Sequence, residues 1–216
     1  MSSNPPVTEK VDPRIKRTRA LIQQAFLALL EEKGFQTITV QDITQKAEIN
    51  RATFYAHYPD KFVLLETSMH HIFRQELEKR TLNACRYSQQ NLHALIVTVC
   101  EFIAYANNRC KVTSTQFETL IENQVRSQMQ ELLELWIKQM GTIIDPKMAA
   151  IVTSWAVYGL ALQWYHDKNH PTAETYADQI LPLIIPNLHL KSESEFTHAL
   201  TKNAHIDTIT SDKGNN

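Results

Sequence analysis

The stretch INRATFYAHYPDK, residues 49–61, crowds three aromatics, a histidine, an arginine and a lysine into about two helical turns. Asn50 is a residue type that caps a helix start, and Arg51 to about Tyr58 carries no helix breaker. Pro59 stops the run, because proline disfavours helical geometry in the residue before it. On a wheel begun at Arg51, Phe54 and Tyr58 share a face and, with Ile49, are expected to pack on Ile43 and Phe26. Arg51, Ala52, Thr53, Tyr55, Ala56 and His57 fall on the remaining arcs. That outward set is rich in donors and planar groups and contains no carboxylate, which phosphate would repel.

Upstream, Ile22, Ala25, Phe26, Leu29 and Leu30 form one apolar stripe at helical spacing, ended by Gly34 in the place of a left-handed cap. Thr39 opens TVQD, whose Thr and Asp can satisfy the first amides of a short helix from about Val40 to Ala47. Two short helices joined by EIN, behind a longer supporting helix, are the arrangement of a helix-turn-helix, whose second short helix enters the DNA major groove. Residues 10–61 hold nine Lys/Arg against six Asp/Glu, while the rest of the chain holds 13 against 17. A mildly basic front and an acidic remainder are compatible with nucleic-acid binding at one end.

The run TITVQDITQKAEINRATFYAHYPDKFVLL resembles the signature of the TetR/AcrR family of bacterial one-component regulators. The family pattern of a Thr-Val-x-x-Ile helix, a turn, then Thr-hydrophobic-Tyr-x-His/Tyr-Phe and a following Lys is matched by Thr39, Val40, Ile43, Thr53, Phe54, Tyr55, His57, Tyr58 and Lys61. The resemblance covers about residues 14–66. Two positions depart from it: Ala47-Glu48 stands where the turn usually has glycine, and Thr44 replaces an alanine. A Glu in a left-handed turn costs about 1 kcal/mol relative to Gly. The resemblance implies that Arg51, Ala52 and Ala56 lie nearest the bases. It makes Thr53, Tyr55, His57 and Lys61 phosphate clamps and has Thr39 offer its backbone amide to a phosphate. The basic arm Arg14, Lys16, Arg17 and Arg19 would track the backbone or enter the minor groove.

Downstream the periodicity stays helical. Asp60 can cap a helix to about Arg80 with Phe62, Leu65, Met69, Ile72, Phe73 and Leu77 inward. Further helices are expected at about 92–107, 114–123, 125–140, 146–167 and 173–188, the last kinked at Pro182. The chain thus reads as all-α, with about nine helices: a flexible tail over 1–12, a helix-turn-helix head over 13–60, a larger helical body over 61–190 and a polar, mobile tail over 191–216.

By resemblance the body binds a small-molecule effector and forms a homodimer. Phe102, Tyr105, Phe117, Glu118, Trp136, Trp155 and Tyr158 are candidate pocket residues, with Trp164, Tyr165, Glu101 and Glu122 near them; aromatics among a few acids suit a flat or cationic ligand. The last two helices carry more apolar surface than one packing face needs. Ala149, Ala156, Gly159, Leu160, Ile180 and Ile184 are the expected contacts of a four-helix bundle across a two-fold axis. Such a dimer predicts a pseudo-palindromic double-stranded operator.

Other classes find less support. No apolar run reaches the length of a membrane span and the start MSSNPPVTEK lacks a secretory pattern, so a cytoplasmic protein is expected. Cys85, Cys100 and Cys110 lack metal-type spacing and read as buried or idle thiols. No phosphate loop, nucleophile elbow or His-Glu-x-x-His occurs; His166 and His170 have a metal-compatible spacing but sit at a helix end beside Pro171. An enzyme, a metal site or a bound cofactor is therefore not expected. The reading is a ligand-responsive DNA-binding regulator, most readily a repressor. The alternative is a helical adaptor or anti-activator that keeps the head without binding DNA.

Overall fold

The computed structural model describes residues 12–81, 86–110 and 115–190. Among them are eight α-helices: α1 Pro13–Lys33, α2 Val40–Lys46, α3 Arg51–His57, α4 Lys61–Arg80, α5 Gln89–Cys110, α6 Thr115–Met140, α7 Pro146–His166 and α8 Ala173–Ile184. Short 3-10 turns at Phe35–Thr37 and Ile185–Leu188 extend the connections after α1 and α8. The tails expected at 1–12 and 191–216 lie outside the described residues except for Asp12, as do Cys85 and the side chain of Cys110.

The expected helices at 114–123 and 125–140 are one helix, α6. The intervening stretch IENQV holds neither glycine nor proline, so nothing in it stops a helix. Pro182 lies inside α8, and two residues later the α-helix gives way to a 3-10 turn.

The chain divides into two compact units. One takes in α1 to Ile72 of α4 together with 105–121; the other takes in Phe73–Ala104 and the chain from Glu122. The division falls inside α4, beyond the boundary at residue 60 read from the sequence.

In the first unit, Ile22, Phe26, Leu30, Phe35, Ile38, Ile43, Phe54, Leu64 and Leu65 are essentially inaccessible and form the core. Phe62, expected inward, is 47% exposed, and Leu64 fills the inner face of α4 instead. In the second unit Phe73, Leu95, Val99, Met129, Leu133, Trp136, Ile137, Val157 and Ala161 are buried. Within it Phe73 and Phe102 meet edge to face at 5.1 Å, and Arg80 pairs with Glu101.

Candidate nucleic-acid interface

The two seven-residue helices of the head are too short to persist by propensity alone, and side-chain caps close both of their starts. At α2, the Thr39 hydroxyl accepts from the Asp42 amide at 3.1 Å. One carboxylate oxygen, Oδ2 of Asp42, accepts from the Thr39 amide at 2.8 Å, the Thr39 hydroxyl at 2.7 Å and the Lys33 ammonium at 2.8 Å. Lys33, and after it Thr39, hold the Asp42 carboxyl well below the usual carboxylate range. At α3, Asn50 Oδ1 accepts from the Thr53 amide at 2.7 Å and the Thr53 hydroxyl at 3.0 Å.

The turn between them is built around Glu48, whose φ of 55° is left-handed. The Ile49 amide donates back to Thr44 at 3.0 Å and the Glu48 amide to Gln45 at 3.3 Å, a backbone closure that normally favours glycine at this position. Gly34 also has positive φ, 72°, but its ψ of 158° turns the chain away from α1 instead of completing a left-handed cap.

Phe54 and Tyr58 are buried, at 0% and 3% exposure, and Ile49 is half-buried, so α3 is fastened by the face the wheel identified. Arg51, Ala52, Tyr55 and Ala56 form a contiguous exposed arc, with Tyr55 49% exposed. Thr53 and His57 are half-buried.

Three expectations change. Lys61 is not extended as a free clamp. Its ammonium donates to the carbonyl oxygens of Ile38 at 2.8 Å, Phe35 at 3.2 Å and Gln36 at 3.4 Å, and lies 4.6 Å from the Phe35 ring centre. Burial pushes its pKa down, and its three donors fix the turn that leads into α2. The Thr39 amide is likewise committed, to Asp42, whose negative charge beside it disfavours a phosphate there.

The basic arm is helical, the third change. Asp12 caps α1 by accepting from the Arg14 amide at 2.8 Å and Pro13 occupies the first turn, so Arg14, Lys16, Arg17 and Arg19 are exposed positions on the first two turns of a helix. Asp12-Pro13 is the same start signal as Asp145-Pro146, which opens α7, and could have been read from the sequence. Helical spacing splits the four charges into Arg14 with Arg17 on one face and Lys16 with Arg19 on another. Cations in the first turn oppose the helix dipole, and only the capping carboxylate of Asp12 offsets them.

The body candidates take different places. Phe102, Trp136 and Tyr158 are buried core residues; Trp136 is wholly enclosed and lies 6.3 Å from the Tyr87 ring. Tyr105 is half-buried and Glu118 exposed in the first unit's later segment, and the side chain of Phe117 lies outside the described residues. The Trp164 indole donates to Pro171 at 2.8 Å and closes the loop after α7, where His170 lies against the same ring, beyond the helix end at His166. Tyr165 is half-buried. Trp155 points outward, 50% exposed, with the Arg126 guanidinium 3.6 Å over its ring.

Arg126, which the sequence did not single out, belongs to a polar seam between α6 and α7. It pairs with Glu122 at 3.2 Å, and Gln130 donates to Ser154 at 3.0 Å. Arg126 Nε is buried there without a hydrogen-bond partner among the described residues; the Thr153 hydroxyl is also buried and unpartnered, but about 200° around α7 from Trp155.

The expected pairing residues also need correction. Ala149, Ile180 and Ile184 are 1%, 4% and 1% exposed and belong to the protomer core, because α7 and α8 turn them toward each other and toward the second unit's interior. Ala156 and Leu160 are half-buried and Gly159 is exposed. The outward apolar stripe of α7 is Met148, Val152, Trp155 and Gly159, at successive helical turns, with Leu183 exposed on α8. A Cβ added at Gly159 would meet nothing within 4 Å.

A capped helix-turn-helix head joined to further long helices places the chain among all-α DNA-binding regulators. Residues 22–67 match the family model described as "Bacterial regulatory proteins, tetR family". The chain is 50% identical over 60 residues to the uncharacterized HTH-type transcriptional regulator YxbF of Bacillus subtilis (strain 168); that match spans 27% of this chain and only 16% of YxbF. It is 24% identical over 209 residues to the HTH-type transcriptional repressor KstR2 of Rhodococcus jostii (strain RHA1), covering 85% of this chain and 97% of that one. Its fold is also that of the transcriptional regulator FadR from Bacillus subtilis, solved with stearoyl-CoA, at a TM-score of 0.54 and 14% identity over 79% of this chain and 99% of that chain. The head of the chain, over residues 22–67, is thus that of the tetR-family bacterial regulatory proteins, and the fold of the whole chain is like that of transcriptional regulators. No helix among the described residues is long and apolar enough to cross a membrane.

Proposed function

We propose that the chain is a ligand-responsive repressor that binds a pseudo-palindromic operator as a homodimer and leaves it when a small effector binds the body. The exposed arc Arg51, Ala52, Tyr55 and Ala56 on the doubly fastened α3 carries this reading. Arg51 can reach a guanine bidentately, the two alanine methyls can meet thymine, and Tyr55 with Thr53 can contact phosphates, while His57, half-buried at the end of α3, lies away from this arc. Arg14 and Lys16 in the first turn of α1 oppose its dipole and, with Arg17 and Arg19 in the next turn, present charge that a polyanion would meet. Lys61 supports this surface from behind, by holding the turn before α2.

The outward stripe Met148, Val152, Trp155 and Gly159, with Leu183, is the pairing face in this reading. Pairing would set two copies of α3 about 34–36 Å apart, one turn of the duplex. The buried, unpartnered Arg126 Nε, beside the half-exposed Trp155 ring, favours an effector that brings a hydrogen-bond acceptor such as a carboxylate or carbonyl. α4 runs unbroken through the point where the two units divide, so a shift along it is the proposed route from effector to head. Coupling of about 1–3 kcal/mol would change operator affinity about 5- to 150-fold. A cytoplasmic location follows from this function.

The test is retardation of DNA from upstream of the chain's own gene, at graded salt, followed by a screen for small molecules that release it. Salt-sensitive, sequence-selective retardation that is weakened for every sequence by Arg17→Ala and relaxed in base preference by Arg51→Ala supports the reading. A folded dimer that retards neither this DNA nor any selected from random sequence is the adaptor, not the repressor.

A further inference from the structure

Apart from its exposed arc, the head carries a groove of about 360 Å³ between α1, the end of α3 and the start of α4. Lys16, Arg19 and His57 line it, with Gln23 and Tyr58 deeper, and no carboxylate is among its lining residues. No ion pair among the described residues engages Lys16, Arg19 or His57. The Tyr58 hydroxyl is buried and completes no hydrogen bond, although the Gln23 carboxamide lies near it. Burial raises the pKa of this phenol, against the opposing influence of the nearby Arg19 charge, so it stays a neutral donor. A buried donor without an acceptor, beside two cations and an imidazole, is the complement of an oxyanion.

The groove also has a side. At about 100° per residue, His57 lies about 170° around α3 from the centre of the exposed arc. It therefore does not share the surface that the arc offers to a duplex. Its volume is within the roughly 300–1,000 Å³ of small-molecule sites, and Ala20 and Val63 give it an apolar wall.

We propose that this groove binds the phosphoryl group of a small phosphate monoester, with Lys16 and Arg19 supplying the charge and His57 and the Tyr58 hydroxyl donating hydrogen bonds. The ester's organic part rests against Ala20 and Val63. Because the site joins α1 to the end of the recognition helix, its occupancy would link a phosphorylated metabolite to the head itself, separately from an effector in the body. A DNA backbone phosphate offers the same chemistry, and the experiment separates the two sources.

Histidine and tyrosine ring signals of the full-length chain are followed by NMR during titration with phenyl phosphate, with inorganic phosphate, with sodium chloride at matched ionic strength and with a DNA duplex. The expected result is a saturable shift of His57 and Tyr58 with phenyl phosphate in DNA-free protein, weaker with inorganic phosphate and absent with chloride. Tyr58→Phe, followed at His57, and Arg19→Gln each weaken it about tenfold, while circular dichroism shows that both variants remain folded. Shifts that appear only with the duplex assign the groove to the DNA backbone and overturn the monoester. A response equal in chloride, or unchanged by both variants, overturns the site altogether. Duplex retardation by the unmodified chain is scored separately, so failure of the groove and failure of the repressor reading remain distinguishable.

Discussion

The short helices of the head and the long helix α7 meet opposite problems. α2 and α3 have seven residues each, and the polar side chains at their starts are taken up in holding them: Asp42 and Thr39 at one start, Asn50 at the other, Lys61 behind the preceding turn. What remains exposed on α3 is a small remainder that structure does not use. α7 has 21 residues and one proline-assisted cap, yet it leaves Met148, Val152 and Trp155 in the open. In the head, function is legible as what the fold leaves over in polar groups; in α7 it is legible as a surplus of apolar ones.

The strongest way to break this contrast is Phe54→Ala. Phe54 is fully buried, and its loss should cost about 3–5 kcal/mol, comparable to the whole stability of a small head. All three tryptophans, Trp136, Trp155 and Trp164, lie in the second unit. Helical circular dichroism should therefore fall while tryptophan fluorescence reports an intact body. Simultaneous loss of both signals would mean that the two regions fold as one. Next in size is Trp155→Glu on the α7 stripe, expected to weaken dimerisation by about 2 kcal/mol or more, read by analytical ultracentrifugation, with the protomer's melting of secondary structure little changed. A dimer of unaltered affinity would remove the stripe from the pairing face.

Lys61→Met sharpens the division between scaffold and contact. It strands three carbonyl groups and should lower head stability by about 1–2 kcal/mol. Operator affinity should fall with it, but the slope of affinity against salt should not change; a slope smaller by about one would restore Lys61 to the phosphate clamps. Glu48→Gly relieves the left-handed turn and should stabilise the head by about 0.5–1 kcal/mol in chemical denaturation.

The smallest effect concerns acid. Asp42 binds its proton less readily folded than unfolded, so its contribution is present above the ordinary carboxylate range and is lost as pH falls through and below it. Asp42→Asn should flatten that part of the head's stability-versus-pH curve; an unchanged curve would show that Lys33 and Thr39 do not act through this carboxylate.

The head's fold could be read from residues with one physical use each. Asn50 caps, Pro59 stops, Phe54 and Tyr58 share a face, and Glu48 falls where the turn demands positive φ. The partners of Lys61 could not be read, because the three carbonyls it holds lie more than twenty residues away in sequence. In the body, a single α6 was implied by the lack of a breaker around Asn123, but apolar spacing alone cannot say which stripe of α7 turns inward. Ala149 and Trp155 look equally apolar in the sequence, and only the position of α8 and the other helices of that unit separates the buried one from the exposed one.

The oxygen Oδ2 of Asp42 joins the last turn of α1, the residue before α2 and, through α2's first turn, the helix that leads to α3. In mechanical terms it is a latch with one long arm: the two Thr39 bonds stay inside α2's own cap, and only the solvent-exposed Lys33 bond reaches another helix. The latch therefore sets where α2 begins against α1, while α3 is seated by Phe54 and Tyr58 in the core. Opening the latch should fray the start of α2 and leave the seat of α3 in place.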